Sequence, residues 1–411
     1  MGKKHDNIVV GLDIGTTKTR AVVGEVTPNG IDVVGIGSHS SKGLRKGVVV
    51  NIEATMESIR EAIEEAELMA GVEITNVYAG IAGAHIQGQN EKGIIAIKNK
   101  EVTERDIKRV VDAARAIAIP LDREVIHILP QEFVIDDQDG VREPIGMSGV
   151  RLEAKVHIIT GAVTSAQNII KSCNRTGLIV DDIVLETLAC SEAVLSQDER
   201  ELGVALIDIG GGTADLAIFI NGAIKHTAVI PVGGAHLTND IAMGLRTPIA
   251  EAEKIKQKYA CAMAEMVDES EQIEVPSVGG RKPRIIPRKI LTDITQPRME
   301  EIFDMLDDEI IRSGYKDLLA AGLVITGGVA LLEGLPELAE RITSLPVRTG
   351  LPQGIGGLVD VVNSPMYATG VGLVRYGAQH QIANPGYRGV GGERVLGRVA
   401  DRVREWFADF F

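Results

Sequence analysis

A chain of 411 residues with 45% hydrophobic and 24% charged residues is too long for one ordinary core, so two lobes or more are expected. Its formal net charge of -14, from 43 basic against 57 acidic residues, opposes binding along a polyanion and argues against nucleic acid as a partner. Three scattered cysteines, Cys173, Cys190 and Cys261, lack a CxxC pair or histidines at ligand spacing, which fits a reducing compartment and not a structural zinc. No run approaches the ~18 apolar residues of a spanning helix, and the start of the sequence has no apolar core or cleavage site of a secretion signal. Any membrane contact is therefore expected to be peripheral.

In chain order, residues 8–12 read as a strand, followed by a glycine and threonine turn and a returning strand over 19–26. Residues 53–70 carry Ile59, Ala62, Ile63, Ala66 and Met69 at helical spacing, and 77–81 are apolar enough for a strand. From about 84 the texture changes. A strand-like stretch at 93–97 precedes a helix opening at Thr103, a suitable N-cap, and running to 117. Pro120, Pro130 and Pro144 then punctuate extended pieces, as expected of a small inserted α+β unit. At 204–207 the apolar strand recurs, at 210–213 the turn recurs, and at 216–220 the returning strand recurs. The chain reads as internally duplicated. Residues 265–288, with Pro276, Gly279, Gly280, Pro283 and Pro287, read as loops and a hairpin in a further subdomain.

Near the end, residues 384–393 are rich in glycine and helix breakers, the composition of a linker. Beyond them, Val395, Leu396, Val399, Val403, Trp406, Phe407 and Phe410 recur at steps of three and four, with Phe411 beside them. Arg398, Asp401, Arg402, Arg404, Glu405 and Asp409 take the other side. The only tryptophan lies on the apolar face of a protein that is 3% aromatic, so the segment reads as a helix lying on a membrane surface. A helix docking on the protein's own core is the alternative. Between 394 and 411 four arginines face three acids, an excess of 4 - 3 = +1. Insertion would therefore rest on apolar burial, at roughly 25 cal/mol per Å², more than on attraction to anionic lipid.

Residues 13–18 (DIGTTK) and 208–215 (DIGGGTAD) share one design, in which an apolar strand delivers a carboxylate to its tip and small residues make a tight turn. Glycine lets the backbone approach an anion, while threonine hydroxyls and successive N–H groups supply donors. Asp13 and Asp208 cannot face phosphates bare, so their useful place is around a hydrated Mg²⁺. Either motif alone is also an ordinary hairpin turn; their repetition in both halves favours a pair of loops clamping a nucleotide. A third element, residues 323–328 (LVITGG) before the helix-like 331–342, offers glycines for a base or ribose, or is a routine strand-to-helix turn.

These three elements in this order resemble the actin-like ATPase superfamily of actins, heat-shock chaperones and sugar kinases. The resemblance implies an α/β, duplicated two-lobe (ribonuclease H-like) fold with an inserted α+β subdomain and a C-terminal amphipathic helix. By that resemblance Gly15, Thr16, Thr17 and Lys18 line the first phosphate loop, Gly210, Gly211, Gly212 and Thr213 the second, and Gly327 and Gly328 the adenosine position. Glu253 and Lys256 match the stretch that touches adenine or ribose, or else form a solvated helix face. Glu186 falls where the attacking water is oriented, or merely begins a helix. No general base stands out, so ATP and Mg²⁺ binding with slow or absent hydrolysis is expected.

Residues 9–18 (VVGLDIGTTK), 125–133 (VIHILPQEF), 146–151 (GMSGVR) and 275–281 (VPSVGGR) are similar to the FtsA family of bacterial cell division proteins. That similarity implies a first lobe of 1–83, 161–195 and 361–383, an insertion at 84–160, a second lobe of 196–228 and 303–360, and a small subdomain at 229–302. It also implies self-assembly into protofilaments, docking of the FtsZ C-terminal tail peptide on the small subdomain, recruitment of later divisome proteins, and a peripheral place on the cytoplasmic face of the inner membrane at the division site. Arg288 and Arg298 are candidates for the acidic tail peptide, or plain surface charges. Other actin-like scaffolds, such as a pilus-assembly ATPase, and sugar or acetate kinases are the alternatives; a chaperone would need a further domain that the remaining chain is too short to hold.

Overall fold

The computed structural model describes residues 7–116 and 119–383; the expected linker and C-terminal helix lie outside the described residues. Strands β1 (Ile8–Ile14), β2 (Lys18–Thr27) and β3 (Gly30–Ser40) form an antiparallel meander, followed by the small hairpin β4 (Leu44–Arg45) and β5 (Val48–Val49). Helix α1 (Ile52–Ala70) buries Ile59, Ala62, Ile63 and Ala66 and ends at Gly71 with φ 68°, a left-handed cap that suits glycine. Then β6 (Asn76–Ile81) pairs parallel to β1.

The chain next departs to build a separate sheet from β7 (Gln87–Ala96), β8 (Arg123–Ile135), β9 (Gln138–Val141) and β10 (Arg151–Ala162), ordered β7-β10-β8-β9. Helix α2 (Glu104–Arg115) covers it, closing a core around Ile107, Val110, Phe133, Leu152 and Ile158. Thr103 holds the N-cap position of α2, where the Asp106 carboxylate accepts the Thr103 N–H at 3.2 Å and its hydroxyl at 2.6 Å. Helix α3 (Val163–Arg175), β11 (Ile179–Leu185) and α4 (Glu186–Val194) rejoin the first sheet, and short α5 (Gln197–Leu202) leads to the second.

That second sheet repeats the first. Strands β12 (Val204–Ile209), β13 (Ala214–Ile220) and β14 (Ala223–Ile230) form the antiparallel meander, followed by α6 (Gly234–Leu245) and α7 (Ile249–Tyr259). The hairpin β15 (Gln272–Val275) and β16 (Arg284–Pro287) precedes α8 (Arg288–Ser313). Parallel strands then come from β17 (Leu323–Thr326) and, after α9 (Leu335–Thr343), β18 (Val347–Thr349). The order β14-β13-β12-β17-β18 mirrors β3-β2-β1-β6-β11, so the duplication read from two short motifs extends over five strands on each side. Strand β19 (Ile355–Gly357) returns the chain to β3, and α10 (Val359–Val362) and α11 (Ala368–Ala383) complete it.

Between the sheets, α4 and α11 share one core, in which Ala189, Cys190 and Val371 meet Val9 and Val22 from one sheet and Leu206 and Ala217 from the other. Sharing helices across the gap makes the two lobes walls of a single cleft. Helix α8 runs unbroken through 302/303, the expected edge of the small subdomain, because Leu291, Thr295, Met299, Ile302, Leu306 and Ile310 are buried at three- and four-residue steps along it. Likewise β19 pairs with β3 ahead of the expected re-entry at 361. Among the described residues, no helix is long and apolar enough to cross a membrane.

Candidate nucleotide site

Each hairpin closes its turn with the same backbone bond. Gly15 N–H donates to the Lys18 carbonyl at 3.1 Å, and Gly210 N–H donates to the Thr213 carbonyl at 3.0 Å. The two turns meet face to face. A Cβ on Gly211 would lie 1.9 Å from Thr17 Oγ1, and one on Gly212 would lie 2.5 Å from Thr16 Oγ1 and 2.9 Å from the Lys46 backbone. These glycines are required by the approach of one loop to the other as well as by the turn itself.

The loops open onto a cleft of about 410 Å³. Asp13, Gly15, Thr16, Thr17 and Lys18 line one wall, and Asp208, Gly210, Gly211, Gly212 and Thr213 the other. Glu186, Glu253, Lys256, Gly327 and Gly328 complete it. Glu253 and Lys256 do not form a solvated helix face. Lys256 Nζ reaches Glu253 Oε2 at 2.8 Å, Thr238 Oγ1 at 2.9 Å and the Gly234 carbonyl at 3.2 Å, tying α7 to α6 at the cleft edge. Although burial works the other way, the Lys256 charge and hydrogen bonds from Lys256, Thr238 and Gln257 hold the Glu253 carboxyl below its ordinary range. Gly327, at φ 88°, packs its backbone against the Asp208 carboxylate, where a Cβ would fall 2.2 Å from Oδ1.

The cleft concentrates acids. Burial raises Asp13 to about 6, Asp208 adds to the rise, and the Arg20 guanidinium, 3.6 Å away, opposes both. Burial also raises Asp208, against hydrogen bonds from the Cys190 thiol at 3.1 Å and the Thr369 hydroxyl at 3.2 Å. Glu186, the first residue of α4, is pushed well above its ordinary value by burial and then by Asp13, Asp215 and Asp208. It both begins a helix and faces the cleft. Carboxyls crowded this way favour a cation among them. Among the described residues no three His, Cys, Asp or Glu side chains converge to ligate a metal directly. Asp13 and Asp208 are the carboxylates that could hold a hydrated cation here.

Sequence reasoning missed four neighbours of these aspartates. Arg20 is the cross-strand partner of Asp13, and Asp215 is the cross-strand partner of Asp208. Pairing the hairpins residue by residue would have found both. Burial, then Asp208, lifts Asp215 to about 7; the Thr213 hydroxyl donates to its Oδ2 at 2.6 Å, while Oδ1 is buried with no hydrogen-bond partner. Cys190 and Thr369 arrive on α4 and α11 from 18 and 161 residues away in the chain, so no local pattern could reveal them.

Arg288 and Arg298 lie apart from the cleft lining and are already paired. Arg288 donates to the Tyr259 carbonyl at 2.7 Å, to Glu271 at 2.8 Å and to Glu333. Arg298 holds Asp240 at 2.5 Å and also Glu301. The membrane residues Val395, Leu396, Val399, Val403, Trp406, Phe407, Phe410 and Phe411 lie outside the described residues.

Comparison with known proteins finds relatives along most of the chain. Residues 205–372 match the family described as Cell division protein FtsA, and residues 83–160 match the SHS2 domain inserted in FTSA. A protein of Pseudomonas aeruginosa named cell division protein FtsA is 58% identical over 375 residues, 91% of this chain and 90% of its own. Among solved structures, the PilM-PilN type IV pilus biogenesis complex aligns at a TM-score of 0.65 and 16% identity, over 90% of this chain and 98% of that one. MreB5 of Spiroplasma citri bound to ADP aligns at 0.57 and 15%, over 93% and 100%. At such identities the likeness is one of fold, and that fold is actin-like.

Proposed function

Because this chain belongs to the FtsA family of bacterial cell division proteins, and so to the actin-like fold, we propose that it binds ATP with Mg²⁺ between its two phosphate loops. In that role it polymerises with its own copies and tethers FtsZ filaments to the cytoplasmic face of the inner membrane at the division site, where later divisome proteins join. The observation that carries the nucleotide role is the meeting of two duplicated aspartate hairpins across one cleft.

In the bound state the two turns cradle the phosphates with backbone N–H groups and threonine hydroxyls. Asp13 and Asp208 would hold a hydrated Mg²⁺, and Lys18 would add positive charge beside the phosphates. Gly327 and Gly328 leave room for the adenosine beside the Glu253–Lys256 pair. The cation supplies neutralisation of phosphate charge. Glu186, which lines the cleft, is the candidate to orient the attacking water.

The small subdomain, about 229–302, is assigned to the FtsZ tail. Arg288 and Arg298 offer an acidic peptide guanidiniums that already carry acidic partners, so the peptide must join or displace Glu271, Glu333, Asp240 or Glu301. The amphipathic segment at 394–411 binds the membrane, and 384–393 is the linker that joins it to the lobes.

Co-sedimentation with liposomes, with and without ATP and the FtsZ tail peptide, tests these assignments together. The parent chain should pellet with liposomes and carry the peptide with it. Trp406→Glu with Phe407→Glu should remain in solution while still binding nucleotide. Recovery of that double variant with the liposomes would remove the anchor, and a peptide left in the supernatant would remove the docking role.

A further inference from the structure

The stretch 125–133 (VIHILPQEF) forms most of β8 in the inserted unit, away from the phosphate loops, yet one of its side chains bonds to the first lobe and another to the second. His127 is 2% exposed and accepts the Leu185 N–H at Nε2, 3.0 Å away. Leu185 is the last residue of β11, and the next residue is Glu186. The donor is a backbone amide, so Nε2 must be the unprotonated nitrogen. Gln131 leaves the same strand toward the other lobe, where Nε2 donates to the Ile224 carbonyl of β14 at 2.8 Å.

Around Gln131 the inserted unit and β14 are joined by a network whose proton pattern is determined. Asn90 on β7 donates from Nδ2 to the Lys225 carbonyl at 2.9 Å, which fixes its amide. Its Oδ1 accepts from Gln131 at 3.0 Å and from His157 Nδ1 at 2.6 Å. His157 Nε2 is left to accept the Thr227 hydroxyl at 2.9 Å. Gly88 has no room for a side chain, because a Cβ there would fall 2.2 Å from Thr227 Oγ1. Thr227 lies on β14, and β14 leads directly to Gly234, which lines the cleft and whose N–H donates to the Gly210 carbonyl at 2.9 Å.

We propose that the inserted unit is coupled to the occupancy of the cleft. His127 is the positioning residue for Glu186, and the Asn90–Gln131–His157–Thr227 joint is the link to the wall that carries the second phosphate loop. The inserted unit is covalently part of the first lobe, leaving it after Ala82, itself a cleft residue, but is hydrogen-bonded to the second. A change in the angle between the two sheets must either break these bonds or carry the inserted unit with it. A ligand in the cleft and a macromolecule seated on the inserted unit then bias one another's binding by the same factor. This rests on the nucleotide role proposed above.

The test is hydrogen exchange by mass spectrometry on the full chain, with and without magnesium AMPPNP. Protection of residues 13–18 and 208–213 reports occupancy. In the parent chain, exchange over 124–133 and 153–160 should slow about fivefold on binding. In Asn90→Ala with Gln131→Ala, the phosphate loops should stay protected while 153–160 no longer responds. His127→Ala should abolish the response at 124–133, and His127→Gln, whose amide oxygen accepts the same N–H, should restore it. An inserted unit indifferent to nucleotide in the parent chain overturns the coupling, as does an undiminished response in the double variant. If the phosphate loops themselves are never protected, the nucleotide role fails and the coupling falls with it.

Discussion

Asp13 and Asp208 hold equivalent places in two related hairpins, yet each faces a different neighbour across its strand pair. Asp13 meets Arg20, a cation, while Asp208 meets Asp215, a second acid. The duplication has thus diverged across the strand pair, with a cation beside one aspartate and a second acid beside the other. Asp215, raised to about 7 by burial and Asp208, keeps in the folded state a proton that the unfolded chain loses near pH 4. Folded protein therefore binds more protons than unfolded between those values, and stability falls as pH rises through that window. Asp215→Asn should flatten the fall in urea midpoint between about pH 5 and about pH 7.5, a difference on the order of 1–3 kcal/mol for ligand-free protein. Parallel pH profiles for parent and variant would assign the effect elsewhere.

At the scale of elements, one side chain at the start of α8 joins three other elements of the second lobe. Arg288 joins the last turn of α7 through the Tyr259 carbonyl, the approach to β15 through Glu271, and the turn before α9 through Glu333. Its side chain is 12% exposed, so water screens these bonds only in part. Arg288→Ala should lower the unfolding free energy by about 1–3 kcal/mol. Arg288→Lys should lose most of the same amount, because an ammonium cannot reproduce a planar fork serving three acceptors. Chemical denaturation of the three proteins measures this. An alanine variant with parental stability but weakened peptide binding would make Arg288 a docking residue and not a structural tie.

At the scale of the molecule, two five-strand units share α4 and α11, and the cleft between them is closed at its base by that common core. A ligand held by both walls adds cross-links that the unfolded chain lacks. ATP with Mg²⁺ well above its Kd should therefore raise Tm by a few degrees, at about 1 °C per kcal/mol for a chain of this length. EDTA should reverse the part due to the metal, and Asp208→Asn should lose that part. Equal thermal shifts with and without magnesium would leave the aspartates without the role assigned to them.

The sequence alone was sufficient wherever the determining signal is local. The periodicity of α1, the cap at Thr103, and the two aspartate turns follow from residues within a few positions of one another, and their repetition disclosed the duplication and the resemblance to the family. Residue partners across strands were present in the sequence but needed the hairpin register to be worked through, as Arg20 and Asp215 show. Tertiary structure alone decided the rest. It brought Cys190 and Thr369 onto Asp208, turned Glu253 and Lys256 inward, engaged Arg288 and Arg298 in ion pairs, and extended α8 through an expected boundary. Each depends on groups far apart in the chain whose approach is fixed by packing of whole sheets and helices, and no pattern of neighbouring residues encodes that distance.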